Sequence, residues 1–373
     1  MRQRFTRGIS LLLMVMITFL ASVFGLAPRA EASPSGTLEV HMLDVQQGLA
    51  VFLRQGDHCM LYDGGGRDTS SFVVAYLKQQ GVAHLDYIVA SHYDEDHISG
   101  LIGAMHAFDC DRILDADYVS DTAIYQSFKK AAGRGGAEEI HPSLGSVYSF
   151  GDASFCVVGP ENYSALTEND RSVAIRMVYG DTSILLCGDA QQEEEYAIAD
   201  SNQELVSDIY VVNHHGGDTS STNYFLNRVQ PEYAFLSCGK GNSYGHPKED
   251  VLERLSAHRV KLYRTDKQGT VVAVSDGSTV TCSTAPTEDW TPGETEYLTV
   301  TAAGEQSDAA VGSRSVPAAD AGISYVLNTR SMKFHYPNCS SVKKMKAKNR
   351  QDTTASREEV VAQGYSPCGN CKP

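Results

Sequence analysis

The sequence predicts an α/β fold of layered sheets and helices, followed by a small metal-stabilised α+β module at the C-terminus. Three observations support this prediction. Apolar strand-like runs alternate with helix-like segments, polar clusters rich in His and Asp recur where the predicted strands end, and three cysteines gather with a histidine near the C-terminus. A chain of 373 residues with 42% hydrophobic content is long enough for two domains and a sizeable core.

The first 32 residues have the pattern of a secretion signal. Three arginines within the first seven residues precede an apolar run over 9–27, and residues 30–32 (Ala-Glu-Ala) have the small-x-small form of a cleavage site. We therefore predict a signal peptide over 1–32 and a secreted or extracellular protein. The apolar run is also long enough to remain as an N-terminal membrane anchor. The sequence has no second run of that length, which argues against channels and transporters.

Residues 33–282 are predicted to form one domain of alternating strands and helices. The predicted strands are Thr37–Val45, Leu49–Leu53, Cys59–Tyr62, Leu85–Ala90, Ser154–Val158, Ala174–Val178, Ile184–Leu186, Ile209–Val212, Ala234–Ser237 and Val271–Val274. The predicted helices are Ser71–Gln79, Ile98–Ala107, Gln192–Ala199, Tyr224–Val229 and Glu249–Ala257. Polar clusters follow the strand ends at Asp63, 92–97, Asp189, 214–215 and His246. Because functional sites of layered α/β folds collect beyond strand ends, we expect these clusters to share one site.

The densest cluster is Ser-His-Tyr-Asp-Glu-Asp-His at residues 91–97. It offers two imidazoles and two carboxylates within six residues, from His92, Asp94, Asp96 and His97. Neighbouring acids repel one another unless a cation lies among them, and this ligand set suits zinc or manganese. The alternative is a solvated acidic loop with Asp96 near the cap of the next helix. Two histidines at this spacing after a buried strand favour the metal.

Together, the ordered motifs resemble the metallo-β-lactamase fold superfamily. SHYDEDHISGL is similar to its HxHxDH signature, in the HxDxDH form of the hydrolase domain of ComEC-type DNA-uptake proteins. The other matching pieces, spread over Leu38 to Asp276, are HMLDVQQG, YDGG, NDRSV, LLCGD, NHHG and YGHP. The resemblance implies an αββα sandwich. It also implies a dinuclear site at the sheet edge, with two divalent metals, Zn or Mn.

The resemblance assigns eight candidate ligands to this dinuclear site. They are His92, Asp94, Asp96, His97, Asp189, His214, His215 and His246. His92 and Asp94 are expected to bind one metal. Asp96 and His97 are expected to bind the other, and Asp189 matches the carboxylate that bridges the two.

The remaining ligands and the expected catalytic residues overlap. His246 is expected to complete the second metal site. One of His214 and His215 is expected to complete the first site or to donate a proton to the leaving group, and the sequence leaves this choice open. Two bridged metals hold hydroxide near neutral pH, and Asp96 is expected to orient it. Asp96, His214 and His215 are therefore the expected catalytic residues.

The C-terminal part of the chain divides into a linker and a small module. Residues 283–323 are rich in Thr, Glu, Ala, Gly and Ser, which predicts a flexible linker. In 324–373, His335, Cys339, Cys368 and Cys371 offer two ligand pairs for one structural zinc. The alternative is a Cys368–Cys371 disulfide in an exported protein. The segment resembles the zinc-binding module of Ada-type DNA-repair proteins, except that His335 replaces a cysteine of that family.

Charge distribution bears on the substrate. Residues 325–373 carry nine Lys/Arg and three Asp/Glu, whereas the rest of the chain carries 22 and 43. An acidic domain binds polyanions poorly, but a basic module on a tether can capture them. We predict a metal-dependent hydrolase that acts as a nuclease or phosphodiesterase. Its expected substrate is nucleic acid, and DNA is favoured. A cell-surface component is a further candidate partner. The alternatives are a hydrolase of small esters, lactones or lactams and a non-catalytic DNA-binding surface protein.

Overall fold

The computed structural model describes residues 36–165, 167–294, 325–331, 333–337, 339–353, 360 and 365–368. The chain divides into two compact units, with the boundary after Thr299. The predicted signal peptide, residues 295–323 of the predicted linker and Cys371 lie outside the described residues.

The first unit contains two β-sheets. Its strands are β1 (Leu38–Met42), β2 (Val51–Gln55), β3 (His58–Tyr62), β4 (His84–Ala90), β5 (Asp109–Asp115), β6 (Glu138–Ile140), β7 (Val147–Phe150), β8 (Ala153–Gly159), β9 (Ala174–Tyr179), β10 (Thr182–Leu186), β11 (Ile209–Val211), β12 (Tyr233–Leu236), β13 (Lys261–Arg264), β14 (Val271–Ser275) and β15 (Val280–Cys282). The first sheet has the order β15-β14-β1-β2-β3-β4-β5-β6, and the second has the order β13-β12-β11-β10-β9-β8-β7. Strands β3 to β6 are parallel, as are β10 to β13, so the carboxyl ends within each set share an edge.

Helices cover both sheets. They are α1 (Ser70–Gln79), α2 (Glu95–Ala107), α3 (Ala123–Ala132), α4 (Gln192–Asp200), α5 (Asn223–Val229), α6 (Glu249–Ala257) and α7 (Thr265–Gln268). The larger core cluster joins apolar residues of both sheets with those of α1, α2 and α3. A second cluster packs α4, α5 and α6 on the second sheet. This layering confirms the predicted αββα sandwich. Among the described residues, no helix has the length and apolar composition needed to cross a bilayer.

Two glycines let α2 approach the end of β3. A Cβ atom added at Gly100 would lie 1.8 Å from the carbonyl oxygen of Gly64, and one added at Gly64 would lie 2.4 Å from the Leu101 nitrogen. The Gly64 amide donates a hydrogen bond to the His97 carbonyl over 2.7 Å. No larger residue fits at this approach, which fixes the first turn of α2 beside Asp63, the residue that follows β3.

The first unit continues past the predicted domain end at residue 282. Arg264 is fully buried and forms an ion pair of 2.8 Å with Asp266. The same guanidinium donates to the carbonyls of Asp289 and Thr291 at 3.2 and 2.6 Å, and Trp290 packs against the second core cluster. Residues 283–294, which composition assigns to the linker, therefore pack on the sandwich. Arg264 binds main-chain carbonyls of this segment, and such contacts cannot be predicted from the amino-acid composition.

The second unit is a small four-stranded sheet. Its elements are β16 (Tyr325–Asn328), β17 (Lys333–His335), α8 (Ser340–Lys343), β18 (Arg350–Thr353) and β19 (Ser366–Pro367), and the strand order is β18-β16-β17-β19. Neighbouring residues of β16 face opposite sides, as strand geometry requires. Leu327 belongs to one apolar cluster and Val326 to another that includes Cys339 and Cys368. The small α+β module predicted from the sequence is confirmed in its fold.

Candidate metal centre

Loops at the ends of strands from both sheets build the candidate site. His92 and His97 follow β4 of the first sheet, with His97 in the first turn of α2. Asp189 follows β10 and the pair His214-His215 follows β11, both in the second sheet. The topology therefore brings together side chains that are far apart in the sequence, as expected for sites at strand ends.

Asp189 lies among three imidazoles. Its Oδ2 atom is 3.3 Å from Nε2 of His97 and 3.4 Å from Nε2 of His215. It is 4.0 Å from Nε2 of His92. These four side chains are buried. Two groups of three possible ligand atoms overlap at His97, one with His92 and Asp189 and the other with Asp96 and His215. Two adjacent groups that share a residue fit a pair of ions.

Asp63 orients His97 from outside the cluster. Its Oδ2 atom accepts a hydrogen bond of 2.8 Å from Nδ1 of His97, so Nε2 of the imidazole faces the cluster. The same carboxylate accepts from the Ser91 amide at 2.8 Å and from the Ser91 hydroxyl at 2.7 Å. Asp63 is fully buried and has φ of 53°. A carboxylate behind a histidine is a common way to fix a metal ligand.

The other two inward histidines are oriented by neutral groups. Nδ1 of His92 lies 2.9 Å from the Ser91 hydroxyl and 3.4 Å from the Ser172 hydroxyl. Nδ1 of His215 lies 3.1 Å from the carbonyl oxygen of Ser237. Because Nδ1 is engaged in each case, Nε2 is the nitrogen directed at Asp189.

The electrostatics of the cluster favour a cation. Burial opposes the charge of Asp189, but His215 and His97 hold the pKa of this carboxyl well below its usual range. Burial also opposes the charge of His97, yet Asp189 and Asp63 hold its pKa well above the ordinary value. Among the described residues, Nε2 of His92 and Oδ1 of Asp189 are buried without a hydrogen-bond partner. Such atoms cost free energy unless a ligand satisfies them. The donor set of imidazoles and carboxylates fits a divalent metal.

Two partly exposed carboxylates border the cluster. Oδ2 of Asp94 lies 3.6 Å from Nε2 of His92, and Oδ2 of Asp96 lies 3.7 Å from Nε2 of His215. Their side chains are 47% and 30% exposed. Asp94 occupies the N-cap position of α2, but its side chain makes no capping hydrogen bond. Neither acid is therefore fixed as a helix cap, which was the alternative interpretation of this cluster.

The adjacent histidines His214 and His215 point in different directions. Both have left-handed backbone conformations, with φ of 51° and 55°. This conformation is costly in residues other than glycine and clusters at functional sites. His215 joins the buried cluster, whereas His214 is 22% exposed, with Nε2 at 3.9 Å from Oδ2 of Asp189. Asn169 and Thr219 each lie 3.2 Å from a ring nitrogen of His214.

His246 lies beside this pair rather than inside the cluster. Its ring centroid is 5.6 Å from that of His214 and 6.5 Å from that of His215. Neither group of possible ligand atoms described above includes it. Burial lowers the pKa of His246 to about 3, helped by His215, His214 and Lys248. Nδ1 of His246 is buried without a hydrogen-bond partner among the described residues.

Sequence reasoning missed several residues that support the site. Ser91, Asn169, Ser172 and Ser237 were not singled out, although Ser91 directly precedes His92 and two of the others lie in the NDRSV motif. Ser91 contacts the adjacent His92, whereas Asn169, Ser172 and Ser237 are far in sequence from the histidines that they contact in the folded structure. For Asn169 and Ser172, the only indication in the sequence was that they belong to a motif, because serine and asparagine are not typical metal ligands.

The second unit holds a separate His/Cys cluster. His335, Cys339 and Cys368 are buried, and their ligand atoms lie within 4.8 Å of one another. Both ring nitrogens of His335 are buried without a hydrogen-bond partner among the described residues. No disulfide joins the cysteines that the structure describes. The donor set fits zinc.

The fold and the buried His/Asp cluster define a layered α/β protein with a candidate metal centre at the strand ends. A sequence profile of the Metallo-beta-lactamase superfamily matches residues 43–240, and the chain belongs to this superfamily. It is thus a metallo-β-lactamase fold protein of the metal-dependent hydrolase type.

Curated relatives place the chain near competence proteins. It is 32% identical over 244 residues to Competence protein ComA of Neisseria gonorrhoeae, covering 65% of this chain and 33% of the relative. It is 28% identical over 253 residues to ComE operon protein 3 of Bacillus subtilis (strain 168), covering 62% and 32%. The identity to Recombination protein 2 of Haemophilus influenzae is 28% over 240 residues, covering 63% and 28%. The chain spans about a third of the length of these relatives.

Among solved structures, one match is the metallo-beta-lactamase fold protein YhfI from Bacillus subtilis. The TM-score is 0.42 at 13% identity, and the match covers 61% of this chain and 96% of that chain. A putative metal-dependent hydrolase from Parabacteroides distasonis matches with a TM-score of 0.41 at 13% identity, covering 63% and 96%.

Proposed function

We propose that this protein is an exported dinuclear-metal phosphodiesterase that hydrolyses nucleic acid, with DNA as its substrate. The observation that carries the proposal is the buried Asp189 carboxylate among inward-facing Nε2 atoms, bordered by the partly exposed Asp94 and Asp96. Relatives named for competence and recombination favour DNA over a small ester or lactam. The export signal predicted for residues 1–32 supports the location.

We assign the metal ligands by their proximity in the cluster. In this assignment His92 and Asp94 would hold one metal, and Asp189 would be shared by both metals. The second metal takes Asp96 and His97, and we add His215 because its Nε2 is 3.2 Å from Nε2 of His97. This assignment differs from the expectation that His246 completes the second site.

The chemistry divides between the metals and the residues at the rim. When bound, two divalent ions acidify water and stabilise the charge that develops on a phosphoryl oxygen. The partial exposure of Asp96 supports a role in orienting the attacking oxygen. His214 is held at the rim by Asn169 and Thr219, from where it can exchange a proton with the leaving group. His246 lines the site as a neutral imidazole.

We further propose that the second unit binds one structural zinc and contacts DNA. His335, Cys339 and Cys368 supply three ligands from the described residues, and Cys371 is the expected fourth. The basic side chains lie on the surface, since Lys343, Lys344, Lys346, Lys348 and Arg350 are all exposed. A metal-stabilised module with exposed cations suits capture of a polyanion.

The test is hydrolysis by the full-length protein loaded with zinc or manganese. Single-stranded DNA, double-stranded DNA, RNA, a small phosphodiester, a lactone and a lactam are compared under one set of conditions. We expect cleavage of DNA and of the small phosphodiester. Hydrolysis of the lactone or lactam alone would replace the proposal with the small-molecule alternative. DNA binding without turnover, in protein that holds its metals, would support a non-catalytic DNA-binding protein.

A further inference from the structure

An exposed aromatic ring lies next to the candidate site on a rigid turn. Tyr244 is 48% exposed, and its ring stacks on that of His246 with a centroid distance of 5.5 Å and an interplanar angle of 25°. His246 in turn lies beside His214 and His215. One face of the tyrosine is therefore covered by a residue of the site, and about half of the side chain remains accessible.

The turn that carries Tyr244 is fixed by a buried asparagine. Oδ1 of Asn242 accepts hydrogen bonds from the amides of Tyr244 and His246 at 3.1 and 3.0 Å. Its Nδ2 donates to the carbonyls of Gly239 and His246 at 2.8 and 2.6 Å. All the hydrogen-bonding capacity of the Asn242 side chain is directed into this turn, which preorganises the backbone that carries the ring.

Tyr244 combines an exposed ring with cationic side chains nearby in the sequence. The described part of the chain leaves few large hydrophobic side chains exposed, and Tyr244 is among them. The stretch 239–248 contains Lys240 and Lys248, and the exposed acids Glu249 and Asp250 follow it at the start of α6. Lys248 donates to the Tyr244 carbonyl over 2.7 Å. Aromatic and cationic side chains side by side are typical of single-stranded nucleic-acid binding.

We propose that Tyr244 is a stacking platform for an unpaired nucleobase beside the phosphodiester that the metal centre cleaves. The proposal rests on the proposed function and adds a substrate-positioning residue to it. A base within a duplex already has both faces stacked, so the platform can bind only a base in a single strand, at a frayed end or in a flipped position. Stacking is tolerant of base identity, so the platform selects for the presence of a base and not for its sequence.

The test compares single-stranded oligonucleotides that differ only in their bases. One is a normal DNA oligomer and the other is a fully abasic oligomer of the same length, both assayed with the metal-loaded full-length protein. The wild type should prefer the normal oligomer. Tyr244→Ala should lower this preference in kcat/KM by roughly 5- to 150-fold, the range that base–aromatic stacking provides, mainly through KM. Tyr244→Phe should retain the preference, because the ring and not the hydroxyl stacks.

Tyr224→Ala is the matched control. Tyr224 is 47% exposed and lies on α5, and its hydroxyl bonds to Asp200. It should keep the wild-type preference. If Tyr244→Ala also keeps it, or if the wild type cleaves both oligomers equally, the platform is wrong while the phosphodiesterase proposal stands.

A binding measurement separates the two proposals. A phosphorothioate oligomer carrying 2-aminopurine resists cleavage and loses fluorescence when its base stacks on an aromatic ring. We expect quenching by the wild type and by Tyr244→Phe, and its loss in Tyr244→Ala. Absence of quenching by the wild type overturns the platform. Quenching that depends on Tyr244, without cleavage of any phosphodiester, would overturn the phosphodiesterase proposal and keep the platform.

Discussion

The two candidate metal clusters of this protein offer different kinds of ligand atom. The cluster of the first unit consists of imidazoles and carboxylates, and two of its acids are partly exposed. The cluster of the second unit consists of one imidazole and cysteine sulfurs, all buried among the described residues. Oxygen ligands with open sides suit a reactive site, whereas buried thiolates suit a closed structural one.

The surroundings of the two clusters differ as much as their ligands. In the first unit, a large apolar core joins both sheets, and the His/Asp cluster lies at the edge of the sandwich. In the second unit, Cys339 and Cys368 are themselves members of a small core cluster with Val326 and Val342. A module of this size has little apolar area to bury without its metal. We therefore expect metal loss to stop chemistry in the first unit and to unfold the second.

The largest effect on activity is expected for Asp189→Asn. A neutral amide cannot bridge two cations, so kcat for a small phosphodiester should fall on the order of 10³-fold or more. The fold should survive, because the apolar core of the sandwich is untouched. Circular dichroism and elemental analysis should accompany the kinetics. Asp181→Asn, at an exposed acid in the turn before β10, is the control and should stay near wild type. An active Asp189→Asn protein with its metals bound would refute the bridging role.

The largest effect on stability is expected for Cys368→Ser. Structural zinc contributes on the order of 10 kcal/mol to folding of such modules, and removing one thiolate should forfeit most of it. Elemental analysis should fall from about three metals per chain to about two. Limited proteolysis should cut the second unit, while the small phosphodiester is hydrolysed at the wild-type rate. Cys282→Ser, outside the cluster, serves as the control. A variant that retains its third metal and its protease resistance would contradict the structural assignment.

Asp63→Asn tests the support behind the first cluster. Among the described residues, the Asp63 carboxylate makes hydrogen bonds with one ligand candidate, His97, and with Ser91, so the loss of this carboxylate should lower activity or metal affinity by about 10- to 100-fold. The effect should be smaller than that of Asp189→Asn. Titration with metal should restore part of the activity if affinity is the quantity that fell. A loss as complete as that of Asp189→Asn would mean that Asp63 acts as a ligand itself.

The sequence predicted those strands and helices whose apolar residues form a recognisable pattern within the element itself. The strands around His92 and Asp189 and most helices were found because each has a continuous apolar run or stripe. Strand β5 (Asp109–Asp115) was missed, since only its last three residues are buried. The linker was predicted to begin too early for a different reason. Residues 283–294 are held by tertiary contacts, such as those of Arg264 with main-chain carbonyls, and composition does not reveal such contacts.

The candidate site shows the same limit. His92, Asp94, Asp96 and His97 are recognisable because they are dense in sequence. The choice between His214 and His215 was not accessible, because two adjacent identical residues differ only in direction. The direction of each side chain is set by left-handed backbone conformations in the loop. The residue pattern at this position does not predict these conformations. The same holds for Tyr244, whose meaning depends on its stacking against His246.

The smallest effect is expected from the charges of the second unit. Replacing Lys343, Lys344, Lys346 and Lys348 by Gln removes four exposed cations and no zinc ligand. If they contact phosphates, KM for long DNA should rise at low salt, and the slope of log affinity against log salt should flatten by about 0.7–0.9 per lost contact. The turnover number and the rate with a small phosphodiester should stay at wild-type values, since these depend on the first unit.

The control replaces Lys78 and Lys130, which are exposed in the first unit, by Gln. Equal salt slopes for the wild type and the four-lysine variant would show that these lysines make no contacts with DNA phosphates. In that case the electrostatic support for a nucleic-acid substrate would be lost, and the first unit would have to be judged on its own chemistry.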